Sequence, residues 1–307
     1  MKRRPVKDPS ASVRQRLLNL AREKNADFNN LLKRYALERL MYRISRSSQA
    51  SKFVLKGALL FEVWSKEPFR TTSDMDFLHL GSATIPELEA IFRQVCLDPV
   101  EEDGLVFLQN TVQAEEIRED NTYGGIRVQL LAMLGVARIS LQIDVGLGDA
   151  VSPEPPDASF PTLLDQPAPQ IAVYTRETAI AEKFEAMVAL GIRNSRMKDF
   201  FDIWVLMDRF PFDGEILAHA VGATFLRRGT TIPDPPPLAL TPEFSRDDQK
   251  VKQWNAFIKK ERRLASAPPF PEAINMIALF LMPPYLANRK GESFPWLWPP
   301  KGPWTPK

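Results

Sequence analysis

Residues 51–78 read SKFVLKGALLFEVWSKEPFRTTSDMDFL, and near the end of the run two carboxylates, Asp74 and Asp76, flank Met75. No other stretch narrows the possible folds as much. An apolar strand, 53–56, ends in Lys56-Gly57; a helix-like stretch over 58–66 follows; a second strand, 74–80, carries the acid pair. In a strand, residues i and i+2 point to one face. Asp74 and Asp76 therefore project together while Met75 and Phe77 face the core. Two convergent carboxylates repel unless a cation lies between them. Mg²⁺, a hard ion that takes oxygen ligands, suits that place, with Mn²⁺ as the alternative.

A third acid stands on another alternating segment. In ARISLQIDVG, 137–146, Ile139, Leu141, Ile143 and Val145 alternate with Ser140, Gln142 and Asp144, a period of two. If this strand pairs near 74–80, Asp144 joins the acid pair. Residues 105–118 and 126–134 also alternate as strands, and Pro86 opens a helix through Leu97. Ahead of them, 10–24 and a second segment capped by Asp27 have helical spacing.

The rest of the chain is predicted to be mainly helical. Residues 151–169 hold six prolines and read as a linker leaving the sheet. ETAIAEKFEAMVALG is a helix ending at Gly191, with Lys183 away from the centre of its apolar stripe. In DFFDIWVLMDRF, Asp199 and Asp202 are i and i+3 and share a helical face. A loop over 229–245 with five prolines, a polar helix over 247–264 and an apolar helix over 272–282 follow. The last seventeen residues hold five prolines and three tryptophans, a tail expected to pack as an extended strap. The expected division is a basic helical region 1–50, a core 51–150, a Pro-rich linker 151–170 and a helical lobe 171–307.

Composition excludes several classes. A single cysteine, Cys96, rules out an intrachain disulfide framework and fits a reducing cytoplasm. Two histidines, His79 and His219, leave little material for a His-based zinc site. The start MKRRPVKDPSAS is basic with no apolar run after it, and Ile274–Met282 is too short to span a bilayer, so no membrane is expected. Net charge is +2, but residues 1–50 carry thirteen Lys/Arg against four Asp/Glu; the other 257 residues thus sum to about −7. The basic start suits either a polyanion partner or a pair of solvated helix faces.

Gly57, Asp74, Asp76, Asp144 and Lys183 occur in the chain order that nucleotidyl transfer needs. Carboxylates on adjacent strands hold divalent ions, a glycine lets a triphosphate reach backbone N–H groups, and basic side chains hold phosphates. Each feature alone is weak, because a D-x-D pair is more often a solvated strand edge. Together they resemble the polymerase-β-like nucleotidyltransferase superfamily. FVLKGALLF, FRTTSDMDFL, ISLQIDVGLGD, ETAIAEKFEAMVALG and RNSRMKDFFDIW, with the tail FLMPPYLANRKGESFPWLWPPKGPW, resemble more closely the AbiEii/AbiGii toxin family of type IV toxin–antitoxin and phage-abortive infection systems.

That resemblance implies an α+β fold: a mixed sheet flanked by helices, with N-terminal helices and a helical C-terminal lobe. It implies that Asp74 and Asp76 ligate Mg²⁺, that Lys183 contacts the triphosphate and that Asp202 supports catalysis or nucleotide placement. Arg196, Lys198 and Asp199 fall in the same motif as Asp202, and Arg70 is the arginine just before the acid pair. The superfamily's Gly-Gly or Gly-Ser is Lys56-Gly57-Ala58 here, which leaves backbone contacts from Gly57 and Ala58 but no hydroxyl. The implied activity moves a nucleotide from an NTP to RNA, the 3′ end of tRNA, which blocks translation. A cognate antitoxin is implied, with direct binding left open. Alternatives are transfer to a protein or small molecule, and a degenerate protein that only binds nucleotide or RNA.

Overall fold

Phe53, Val54 and Leu55 are fully buried and form β1 (Phe53–Lys56), the start of a seven-stranded sheet. The structure, a computed structural model, describes residues 8–65, 70, 72–117, 124–231, 236–260 and 267–307. Lys2, Arg3, Arg4 and Lys7, and the ends of the strand over 105–118 and the helices over 58–66 and 247–264, lie outside the described residues.

The chain divides into two units. The first holds α1 (Pro9–Glu23), α2 (Phe28–Arg46), β1, α3 (Leu60–Trp64), β2 (Met75–His79), α4 (Ile85–Leu97), β3 (Leu105–Ile117), β4 (Gly125–Leu134), β5 (Ala137–Leu147), β6 (Asp157–Ser159) and β7 (Gln170–Val173). Strand order is β3-β4-β5-β2-β1-β7-β6; β2–β5 and β1–β7 pair parallel and the others antiparallel. The expected mixed sheet flanked by helices is therefore present. Val128, Leu130, Ala132, Leu141, Ile143 and Val145 are buried, while α2 packs against β5 and α4 against β3. Thr84 and Glu87 close a capping box at the start of α4, which presents Leu88, Phe92 and Val95 to the core.

Two expectations about this unit are corrected. The Pro-rich segment 151–170 is not a linker leaving the sheet: β6 and β7 extend the sheet within and just past it. Pro lacks a ladder donor and is tolerated on an edge. β6 is that edge, and Phe160 beside it is fully buried, its N–H bonded to the Pro169 carbonyl at 2.9 Å. Nor is 1–50 a separate basic region, because α2 belongs to the core. Its Arg34, Arg39 and Arg43 are buried with Glu38. Arg34 forks Glu62 at 2.8 and 2.7 Å, and Arg39 and Arg43 both donate to Asp103. Three of the thirteen cations of 1–50 therefore belong to an internal ion-pair network and not to a basic surface.

His79 closes β2 in this core, 3% exposed, with its ring edge-on to Phe53 at 5.3 Å. Burial pushes its pKa below the usual value of 6.5, against the opposing pull of the Gly81 backbone. The unfolded chain then binds a proton that the folded chain resists. The stability linked to this group is fully present above about pH 6.5 and is lost as pH falls through the lower folded pKa. Thermal unfolding across pH 8 to 5 should show this loss in the wild type and a smaller one in His79→Leu.

The second unit holds Asp149–Pro155 and Tyr174–Lys307, together with the segment Phe69–Thr71 that carries Arg70. Its elements are α5 (Arg176–Leu190), α6 (Met197–Arg209), β8 (Phe212–Asp213), α7 (Gly214–Arg227), α8 (Pro242–Ser245), α9 (Asp248–Lys260), α10 (Phe270–Lys290), β9 (Trp296–Trp298) and β10 (Thr305–Pro306). α10 is longer than the sequence suggests, because it runs through Pro283 and Pro284 instead of stopping before them. By length and composition it could cross a membrane, but Ile274, Ile277, Phe280, Leu281 and Tyr285 are buried and it packs against α6 and α7 as a core helix.

A proline at position 284 leaves the Phe280 carbonyl without its helical donor. The tail supplies one: Trp304 Nε1 donates to the Phe280 carbonyl at 2.9 Å, and the two rings stack with an interplanar angle of 1°. Trp298 Nε1 likewise donates to the Met207 carbonyl at 2.8 Å. The tail is thus an ordered strap, as expected. Trp304→Phe keeps a ring on Phe280 but loses the donor, and should cost about 1–2 kcal/mol in denaturant unfolding. Pro284→Ala, which restores a backbone N–H, should recover part of that loss.

Candidate active site

Four strands bring the charged residues of the first unit into one row. Lys56 on β1 lies opposite Asp76 on β2, Asp76 lies beside Asp144 on β5, and Asp144 faces Arg127 on β4. The inference that the strand of Asp144 pairs with that of Asp76 is met in register. Neighbours Met75, Phe77, Ile143 and Val145 are buried toward the core, which leaves both acids on the opposite face. Asp74 precedes β2, half-buried, with Lys33 Nζ 3.7 Å away and the Ser73 hydroxyl donating to it at 3.2 Å.

Gly57 lies against this row. Its φ is +73°, a left-handed conformation that favours glycine. A Cβ there would enter the space of the Asp76 carboxylate, 2.7 Å from its Cγ. Gly57 opens a turn of 3₁₀ helix, Gly57–Leu59, that leads directly into α3. Ala58 is buried and Lys56 half-buried.

Asp144 is held by a residue that was not expected. Arg127 Nε and Nη2 fork its two carboxylate oxygens, both at 2.8 Å. Arg127 was legible as an outward position of the alternating GIRVQLLAML, the same face as Asp144, but a single sequence does not reveal which strand it pairs with. Hydrogen bonding to Asp144 raises its pKa, so it is cationic throughout the accessible pH range.

The second unit gathers another set. Lys183 on α5 lies 2.7 Å from Asp199 Oδ1 and 2.7 Å from Asp202 Oδ2, both on α6. Arg70 forks Asp202 at 2.8 and 3.0 Å. Burial pushes Asp202 up, but Arg70 and Lys183 outweigh it and hold the carboxyl below the usual range. Burial pushes Lys183 down, and Asp199 and Asp202 outweigh that, so it stays an ammonium. Four of the expected residues, Arg70, Lys183, Asp199 and Asp202, are thus one cluster of ion pairs. Arg196 caps α6 with its backbone N–H on Asn194 Oδ1 at 2.8 Å, and Lys198 is exposed.

Among the described residues, no group of three or more His, Cys, Asp or Glu side chains forms a ready metal cage. Asp144 reaches the row but is committed to Arg127. Mg²⁺ needs no such cage, being bound by one or two carboxylates with waters and substrate phosphates. Asp74 and Asp76 are such a pair, and the bare Cα of Gly57 leaves room for the Asp76 carboxylate, so the donor set fits that ion.

Residues 39–276 match the family model of the nucleotidyl transferase AbiEii toxin of type IV toxin–antitoxin systems. No curated protein is similar enough in sequence to match the chain. Among solved structures, MenT4, a nucleotidyltransferase toxin from Mycobacterium tuberculosis, is 18% identical with a TM-score of 0.49 over 92% of this chain and 99% of its own. A putative nucleotidyltransferase from Helicobacter pylori is 15% identical with a TM-score of 0.47, over 84% of this chain and 96% of its own. JHP933 from Helicobacter pylori is 15% identical with a TM-score of 0.46, over 83% and 92%. The family match spans more than two thirds of the chain and includes the acid pair, Gly57, Lys183 and Asp202: this protein belongs to the AbiEii family of nucleotidyltransferase toxins.

Proposed function

We propose that the protein transfers a nucleotide from an NTP to an RNA acceptor, the 3′ end of tRNA, in a reaction that depends on Mg²⁺ or, in its place, Mn²⁺. The observation that carries this reading is the row Lys56, Asp76, Asp144 and Arg127, with Gly57 cleared for the Asp76 carboxylate. Asp74 and Asp76 would hold the ion, which when bound supplies charge neutralisation on the phosphates and a lower pKa for the attacking hydroxyl. The N–H groups of Gly57 and Ala58, at the opening of a helical turn, offer donors to phosphate oxygens. In the second unit, buried Asp202 positions Lys183 and Arg70, the cations to which the motif resemblance gives the nucleotide-binding role. Asp199 holds Lys183 in the same way, while Arg196 and Lys198 add charge near the start of α6.

The family's place in toxin–antitoxin systems is consistent with RNA as acceptor, because a transfer that disabled tRNA would halt growth. The charge argument is narrower than the sequence suggests. With Arg34, Arg39 and Arg43 internal, the exposed cations of α1 and α2 include Arg14, Arg22 and Arg46. Incubation with labelled NTPs, Mg²⁺ and total tRNA tests the reading. The wild type should label tRNA. Asp76→Asn should lose about a thousandfold or more in rate while remaining folded, because it removes an anionic ligand of the ion that would neutralise the reacting phosphate. Label on a protein or small molecule, insensitive to salt, would replace the RNA reading. No label with any NTP would leave nucleotide binding alone. The family also implies a cognate antitoxin as partner.

A further inference from the structure

The fork between Arg127 and Asp144 lies one strand beyond the acid pair, and within the row that supports the proposed chemistry the contact itself has no assigned step. Both side chains are partly open, 31% and 22% exposed, so the fork is not a core contact needed to neutralise buried charge. A guanidinium fork occupies both carboxylate oxygens, the same lone pairs that a divalent ion would use. Arg127 is opposite Asp144 on one side, and Asp144 is paired with Asp76 on the other. Arg127 thus compensates a carboxylate that would otherwise add a third like charge beside Asp76.

A second acceptor stands next to the fork. With its amide oxygen turned toward Arg127, Gln142 lies 3.1 and 3.2 Å from Nε and Nη2. Gln142 is two residues before Asp144 on the same face of β5. A guanidinium that releases Asp144 therefore has a neutral acceptor in reach and is not left without a hydrogen bond.

We propose that Arg127 is a positioning residue that competes with the divalent ion for Asp144: it holds the third carboxylate while the ion is absent and passes to Gln142 when the ion arrives. This rests on the assignment of Asp74 and Asp76 as metal ligands. Mn²⁺ binding to the full chain, read by electron paramagnetic resonance, tests it without reference to activity. Arg127→Gln should tighten Mn²⁺ binding about tenfold, because it frees an anionic ligand and removes a competing cation. The gain should vanish in the Arg127→Gln/Asp144→Asn double variant. Arg127→Lys, which keeps the charge but not the fork, should show a smaller gain and carries the test if Arg127→Gln does not fold. Unchanged or weaker Mn²⁺ binding in Arg127→Gln, with binding still dependent on Asp76, overturns the competition and leaves the metal assignment standing. Absence of Mn²⁺ binding in both wild type and Arg127→Gln overturns the two together.

Discussion

Gly57→Ala should lower nucleotidyl transfer by at least about a hundredfold, the scale expected when a reacting group is displaced by an ångström. A methyl group at this position meets the Asp76 carboxylate, and the φ of +73° adds strain of about 1–2 kcal/mol. The two effects are separable. Gly81 has a φ of +87° with open space around its missing Cβ. Gly81→Ala therefore carries similar backbone strain without intruding on the acid pair, and should unfold earlier while keeping its rate. Comparing transfer rates and unfolding midpoints of the two variants checks the argument. Equal losses of activity in both would mean that strain, not displacement of Asp76, governs the site.

Asp103→Ala should produce the largest loss of stability, about 3–5 kcal/mol, because it takes from buried Arg43 its carboxylate and leaves Arg39 only Glu38 at 3.8 Å. Asp103 accepts from Arg43 at 2.6 and 3.2 Å, from Arg39 at 3.3 Å and from the Leu105 N–H at 3.1 Å. Arg39 is fully buried and Arg43 nearly so. Arg39 stands 4.2 Å over the Tyr42 ring and Arg43 4.6 Å over Phe107, contacts that do not replace an anion. Replacing both arginines by Met together with Asp103→Leu should recover most of the loss, since a buried ion network is often worth little against apolar packing. Urea unfolding of the single and triple variants measures both outcomes. A loss under about 1 kcal/mol for Asp103→Ala would show that water reaches the arginines.

The expectations that failed show what a single sequence carries. The acid pair, Gly57 and Asp144 were legible because strands repeat every two residues and the polar face is explicit in ISLQIDVG. Two of their partners were not, since Lys33 on α2 and Arg127 on β4 meet Asp74 and Asp144 through contacts between distant segments. The arginines of α2 looked like surface charge because their counter-ions Glu62 and Asp103 lie far along the chain, and helical periodicity alone cannot bury a guanidinium. The Pro283-Pro284 pair looked like a helix end because its compensation comes from Trp304, twenty residues later. Local chemistry was readable, while long-range compensation was not.

β2 is the fourth of seven strands, with ladders to β1 on one side and β5 on the other. Backbone amides in such a place exchange with solvent only through the rarest openings of a fold. Asp76 is therefore anchored to the slowest-breathing part of the first unit, while Asp74, one residue before the strand, is tied to it from one side only. Of the two carboxylates, Asp76 is the fixed reference, and Asp74 is the one with freedom to adjust to what is bound.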